Sequence, residues 1–325
     1  MAALGRVRDA ALVALSLAGV VLGVRLLPAK PAPAASAAEA TTSAAVASAI
    51  PPGREREASV PASLRLVDRD CDFEDKGVGD YVRDKAESGA VVLTREAAVA
   101  PDGSYDLVLH FHGGLAMNRI LAPLGKPVVL ASIDRGDSSG DYKGLFANAA
   151  AFDALLGSID GAVGKTVGRQ AKASRVLVSS FSAGYQAVRE ILVASPNHPA
   201  VRGVLLLDSL YGSFRPGSHT VDPDQLAPFE AAARRALEQP HYAFLLTHSD
   251  VKTDGYANTA EVATTLLDRL VVRSSLVKTA QERGMTRVAE ERGFIVRGYG
   301  GSDKGAHCAH LALLPELVET WRSKL

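Results

Sequence analysis

Short apolar runs, separated by stretches with helical spacing, recur from about Ser63 to the end of the chain. Residues 90–94, 105–112, 127–133, 175–180, 201–207, 242–248 and 293–298 are rich in β-branched or aliphatic side chains and are closed by glycine or polar residues, which predicts strands. Residues 145–159, 185–192, 259–270 and 310–321 repeat apolar positions every three or four residues, which predicts helices. Residues 212–239 read as a helical or irregular excursion, a candidate wall or lid. Largely apolar strands alternating with helices predict an α/β class, a mainly parallel sheet with helices on both faces. Ligands of such sheets bind outside the carboxyl ends of the strands. The polar residues that close these runs, among them His112, Asp134, Asp208 and Asp250, fall at those ends.

Ser182 stands where a predicted strand gives way to a predicted helix. Arg175 to Ser180 run into Phe181-Ser182-Ala183-Gly184, and Tyr185 to Leu192 continue with helical spacing. A serine on so sharp a turn presents its hydroxyl above the sheet edge, where a base can reach it and new helix amides can face a developing oxyanion. The residues two before and two after it must be small, and they are Ser180 and Gly184. This turn resembles the nucleophile elbow Gly-x-Ser-x-Gly of the α/β-hydrolase superfamily, with Ser180 in the place of the first glycine.

The resemblance extends along the chain in the order nucleophile, acid, histidine. After the last strand, Gly301 to Leu311 form a glycine-containing loop with His307 and, three residues on, His310. Pro315-Glu316 follows with one extra residue before the proline, similar to the C-terminal end of many members. On that match His307 is the base, with His310 as the alternative. Two aspartates compete for the acid. Asp208 closes an entirely apolar run, so its carboxylate needs a partner or water; Asp250 closes the next strand in a more polar neighbourhood. Asp208 is preferred and Asp250 remains open. His112-Gly113-Gly114 resembles the His-Gly loop of esterases and lipases, so Gly113 or Gly114 would join the Ala183 amide in an oxyanion hole. The resemblance implies a serine hydrolase acting on a carboxylic ester through an acyl-enzyme, with a small-molecule or polymer acyl substrate. Peptidase, amidase and acyltransferase chemistry use the same machinery, and a non-catalytic binding protein on this fold is a further alternative.

His110 and His112 lie two apart on a strand and could share a metal with an acid such as Asp134, a metallohydrolase alternative. Gly161 to Thr166 evoke a nucleotide loop, but Ile159 occupies the first glycine position and no strand precedes it. His198, His219, His241 and His248 read as surface or loop histidines. No metal or organic cofactor is expected.

Composition narrows the picture further. Lysine plus arginine equals aspartate plus glutamate at 36 each, without a basic stripe, so nucleic acid is not an expected partner. The chain's 325 residues, 47% of them hydrophobic, allow one large domain, expected over residues 63–325. Arg6 and Arg8 precede an apolar run from Ala10 to Val24, and Ala35-Ser36-Ala37 offers a cleavage site. Residues 1–27 therefore read as a signal peptide or N-terminal anchor, residues 28–62 as an Ala/Pro/Ser-rich linker, and the protein as exported (periplasmic or secreted), with membrane anchoring open. Cys71 and Cys308 are an even pair, either disulfide-bonded or free. Oligomeric state is not legible.

Overall fold

In the computed structural model, residues 71–277 and 284–325 are described. The expected signal or anchor (1–27), the linker (28–62) and the start of the domain at Ser63 lie outside the described residues. Those described fall within one compact unit, and none of their helices is long and apolar enough to cross a membrane.

Ten strands form one sheet: β1 (Val82–Lys85), β2 (Val91–Thr94), β3 (Ser104–Phe111), β4 (Val129–Ile133), β5 (Lys172–Phe181), β6 (Val201–Leu207), β7 (Ala243–His248), β8 (Ser275–Leu276), β9 (Met285–Glu291) and β10 (Phe294–Tyr299). Their order is β1-β2-β4-β3-β5-β6-β7-β10-β9-β8. The six central strands, β4 to β10 in that order, pair in parallel. Antiparallel pairs complete both edges. Among the described residues seven α-helices accompany them: α1 (Gly114–Leu121), α2 (Ala149–Val167), α3 (Tyr185–Ala194), α4 (Pro223–Glu238), α5 (Thr259–Leu270) and, after the last strand, α6 (Lys304–Ala309) and α7 (Leu314–Ser323).

Alternation along β3 shows how the two layers are built. Leu107, Leu109 and Phe111 join one buried cluster that includes residues of α2, α3, α4 and α5. Val108 joins another with residues of α1 and α7. Successive side chains on a strand point to opposite faces, and here both faces are covered, so Leu107, Val108 and Leu109 are apolar without alternation. The expected mainly parallel sheet with helices on both faces is what forms.

The excursion 212–239 is more ordered than a lid. Most of it is α4, which places Leu226, Phe229, Ala232, Ala233 and Ala236 in the core. The expected terminal helix over 310–321 divides into a 3-10 turn at His310–Leu313 and α7, which has Pro315 in its first turn, and α6 precedes both. Gly161 to Thr166 lie within α2. Cys71 and Cys308 are joined in a disulfide, their Cα atoms 4.9 Å apart.

Candidate active site

Chain direction sets the location. From β3 the chain passes to β4 on one side, while from β5 it passes to β6 on the other, so the order reverses between β3 and β5. A crevice opens at such a reversal beyond the strand carboxyl ends. His112 and Gly113 follow β3 there, and Ser182 follows β5.

Ser182 has φ +47, a left-handed conformation that costs a non-glycine residue free energy and therefore needs external support. The neighbours supply it. A Cβ on Gly184 would lie 2.2 Å from the Phe111 carbonyl oxygen, so only glycine permits this approach of elbow to strand. Ser209 Oγ donates to the Ser182 carbonyl at 2.8 Å. With that hydrogen committed, Ser180 Oγ, 2.7 Å from Ser209 Oγ, is the donor of their bond. Ser180 and Ser209 are both fully buried. The serine standing where a glycine was expected is thus part of a brace under the nucleophile candidate.

Asp208 closes β6, also at positive φ (+43), and is 1% exposed. Its carboxylate accepts from Ser249 N at 2.9 Å, Ser249 Oγ at 2.6 Å and the Thr259 hydroxyl. Its Oδ2 lies 2.7 Å from His307 Nδ1. Burial works to raise the Asp208 pKa, but the His310 and His307 imidazoles, with hydrogen bonds from His307 and Ser249, outweigh it and hold the carboxyl below the usual carboxylate range. A carboxylate that stays ionised fixes Nδ1 as the protonated nitrogen of a neutral His307 and leaves Nε2 as a base. The His307 ring stacks on Phe181 at 4.5 Å, the residue before Ser182. Asp303 caps α6 through the Ala306 amide at 2.8 Å and so sets the start of the helix carrying His307.

The alternatives fall elsewhere. His310 is 1% exposed, and its Nδ1 lies 2.7 Å from Thr247 Oγ1, a hydroxyl that also accepts from Asp208 N. It is a packed, neutral histidine beneath the site. Asp250 is exposed, with its amide donating to the Gly301 carbonyl at 3.0 Å. Gly113 lines the cleft with Ser182 and His307. Gly114 does not fit the expected oxyanion role, because its N–H already donates to Asp134 Oδ1 at 3.1 Å. A Cβ there would lie 2.4 Å from Ser132 Cβ, so this glycine serves close packing on β4.

His110 and His112 take separate partners. His110 Nδ1 pairs with Ser179 Oγ at 2.9 Å, and His112 Nδ1 with the Tyr142 hydroxyl at 3.1 Å. Among the described residues no group of three or more His, Cys, Asp or Glu side chains is placed to hold a metal. His248, expected at the surface, is buried at the end of β7.

Sequence reasoning did not single out Ser249, Thr259, Ser209 and Tyr142 as site residues. Ser209 and Ser249 were visible as the polar residues beside Asp208 and Asp250, but the brace and the carboxylate cradle depend on how β5, β6 and β7 align.

These elements combine a parallel core in the order β4-β3-β5-β6-β7-β10, an antiparallel β2 beside it, a serine elbow after β5 and an Asp–His pair from later strand ends. The chain has the α/β-hydrolase fold. No protein-family model matches the sequence, and a comparison with curated proteins finds no match. Among solved α/β-hydrolase structures, it is similar to the enterochelin esterase of Shigella flexneri (TM-score 0.48, 16% identity, over 78% of this chain and 61% of that one). It is also similar to the carboxylesterase CesB of Bacillus subtilis (0.40, 10%, 75% and 90%) and to LpqC, a poly(3-hydroxybutyrate) depolymerase of Bordetella parapertussis (0.39, 14%, 77% and 91%). The chain thus spans about three fifths of the enterochelin esterase's length.

The buried histidines of this α/β-hydrolase fold have a consequence for stability. Burial lowers the pKa of His310 from 6.5 to about 4. Burial, then the neighbouring His112, lowers that of His110 to about 3. Between those values and 6.5 the unfolded chain binds protons that the folded chain refuses, so stability is intact above about pH 6.5 and declines as pH falls. The thermal midpoint is expected to drop steadily from pH 7 to pH 4. His310→Asn, which keeps an acceptor for the Thr247 hydroxyl, should flatten that slope. Equal slopes for both proteins would remove His310 from this account.

Proposed function

We propose that the protein is a serine hydrolase that cleaves a carboxylic ester, with Ser182 as nucleophile, His307 as general base and Asp208 as the acid that orients it. The observation that carries this reading is the buried His307–Asp208 hydrogen bond of 2.7 Å, set beside a serine at an elbow with φ +47. His307 Nε2 takes the Ser182 proton as Oγ attacks the acyl carbon. The carbonyl π electrons move onto oxygen, where the Ala183 and Gly113 amides serve as donors. Collapse of the tetrahedral species breaks the bond to the alcohol oxygen, which receives the proton from His307. Water, deprotonated by the same nitrogen, then attacks the acyl-enzyme and releases the acid and Ser182.

Ser182 opens onto two cavities. One, of about 710 Å³, is lined by His112, Gly113, Leu115, Phe181 and His307 among others. The other, of about 450 Å³, is lined by Tyr185, Tyr211 and Tyr256. Asp137 borders both, which suits an ester with a substantial group on each side of its carbonyl. The catalytic domain in this reading spans 63–325. The disulfide favours an oxidising compartment, in keeping with export directed by residues 1–27.

A fluorophosphonate probe tests the reading. It should label the wild-type protein once, at Ser182, and Ser182→Ala should abolish labelling and ester turnover with the circular dichroism unchanged; chelation should have no effect. Undiminished labelling of a folded Ser182→Ala protein, or none of the wild type, would overturn the assignment.

A further inference from the structure

The smaller of the two cavities at Ser182, of about 450 Å³, is the one that His307 does not line. Its volume falls within the roughly 300–1,000 Å³ range of small-molecule pockets. The apolar part of its wall is almost wholly aromatic. Tyr185, Tyr211 and Tyr256 form it with Ala183, and among the described residues lining it there is no leucine, isoleucine, valine or methionine. Asp137, Ser139 and Ser213 supply much of the remainder.

Separate elements hold the three rings. Tyr185 opens α3, directly after the elbow. Gly212 and Ala257 exchange two backbone hydrogen bonds, at 3.2 and 2.7 Å, which sets the preceding residues, Tyr211 and Tyr256, side by side. The Thr253 hydroxyl donates to the Tyr256 carbonyl at 2.6 Å, and Asn258 caps α5 just beyond. The Tyr211 ring lies 5.8 Å from that of Tyr185, tilted by 55°, and 5.8 Å from that of Tyr256 in an edge-to-face pair. Tyr256 nevertheless remains 45% exposed, an aromatic surface kept open on the wall of the cavity that holds Ser182.

The proposed reaction divides an ester between the two cavities. His307 must reach the alcohol oxygen to protonate it as the tetrahedral species collapses, so the alcohol side lies in the cavity that His307 lines. The carbonyl oxygen faces the Ala183 and Gly113 amides. The remaining substituent on the reacting carbon, the acyl group, is left to enter the tyrosine-walled cavity. An alkyl chain would set its methylenes against hydroxyls and a carboxylate there. A planar ring can pair offset or edge-on with the tyrosine rings and leave its rim to the polar groups.

We propose that the cavity walled by Tyr185, Tyr211 and Tyr256 is the acyl subsite and takes an aromatic acyl group, so that the substrate is an ester of an aromatic carboxylic acid. The proposal rests on the Ser182–His307–Asp208 reading above.

The test compares two 4-nitrophenyl esters, the benzoate and the cyclohexanecarboxylate, which share leaving group and ring size. Each kcat/KM is divided by that ester's rate of hydrolysis in hydroxide, which removes the difference in intrinsic reactivity. The wild type should favour the benzoate about tenfold, the scale of one or two aromatic ring pairs. Tyr256→Leu, which keeps apolar bulk but loses the ring, should lower that ratio severalfold with the circular dichroism and thermal midpoint unchanged. In a wild type that the fluorophosphonate labels, a ratio at or below one, a ratio that folded Tyr256→Leu retains, or no turnover of either ester overturns the aromatic subsite alone. A wild type that is not labelled overturns this proposal together with the hydrolase reading.

Discussion

Asp208→Asn is expected to lower turnover about 10,000-fold with the fold intact, the scale of the corresponding substitution in serine hydrolases whose histidine tautomer is fixed by a buried carboxylate. The asparagine carbonyl, in the place of Oδ1, can accept from the Ser249 amide and the Thr259 hydroxyl, and the Ser249 hydroxyl, which now meets Oδ2, can turn to accept from the new amide. Its amide nitrogen then faces His307 Nδ1, where the carboxylate oxygen stands at 2.7 Å. Facing a donor, Nδ1 must accept, and the ring proton moves to Nε2, the atom needed to receive the Ser182 proton. The enzyme would hold a correctly placed imidazole in the wrong tautomer. Asp250→Asn, at an exposed position, should leave turnover within about twofold, since the carboxylate that meets His307 Nδ1 is that of Asp208. Steady-state kinetics on a chromogenic ester checks both. A collapse with Asp250→Asn and near-normal turnover with Asp208→Asn would move the acid to the other strand end.

The central strands were legible because parallel strands buried on both faces are continuous apolar runs, as in Val201–Leu207 and Ala243–His248. The edge strands were not. Val82–Lys85 and Met285–Glu291 are largely exposed or half-buried and carry several charged residues, so pairing with a neighbour, not local pattern, makes them strands. Helix α1 was hidden by its short length and by its start at Gly113, whose φ of +80 only a structure reveals. In the site, Ser182 was readable because strand, turn and helix lie together in sequence. The choice between Asp208 and Asp250 was not, since each closes an apolar strand. It turns on the Ser249 amide and hydroxyl pointing to the preceding strand's aspartate. Gly114 was misread for a similar reason: its amide is taken up by Asp134, twenty residues on, through the alignment of β3 and β4.

Loss of the disulfide is expected to be the largest stability change available to a small substitution. The cross-link joins residues 237 apart, and removing a native disulfide costs about 2–5 kcal/mol, rising with loop length on the chain-entropy account. For a domain of this size, each kcal/mol moves the midpoint by about 2–4 °C, so Cys71→Ala/Cys308→Ala should melt about 10 °C below the wild type. Wild type with dithiothreitol should fall by a similar amount, and the double variant should then be insensitive to the reductant. The position of the bond adds a catalytic question, because Cys308 follows His307 directly and Cys71, Asp72 and Phe73 wall the larger cavity. Three contacts besides the disulfide hold that wall and that histidine. Arg119 donates to the Phe73 carbonyl at 2.8 Å, and His307 keeps both Asp208 and the α6 cap set by Asp303. Fluorophosphonate labelling well below the lowered midpoint should therefore survive in the double variant. An unchanged midpoint would mean that the bond contributes nothing to the folded state, and a lost label at full foldedness would mean that the disulfide, and not the Asp208–Asp303 pair of contacts, positions His307.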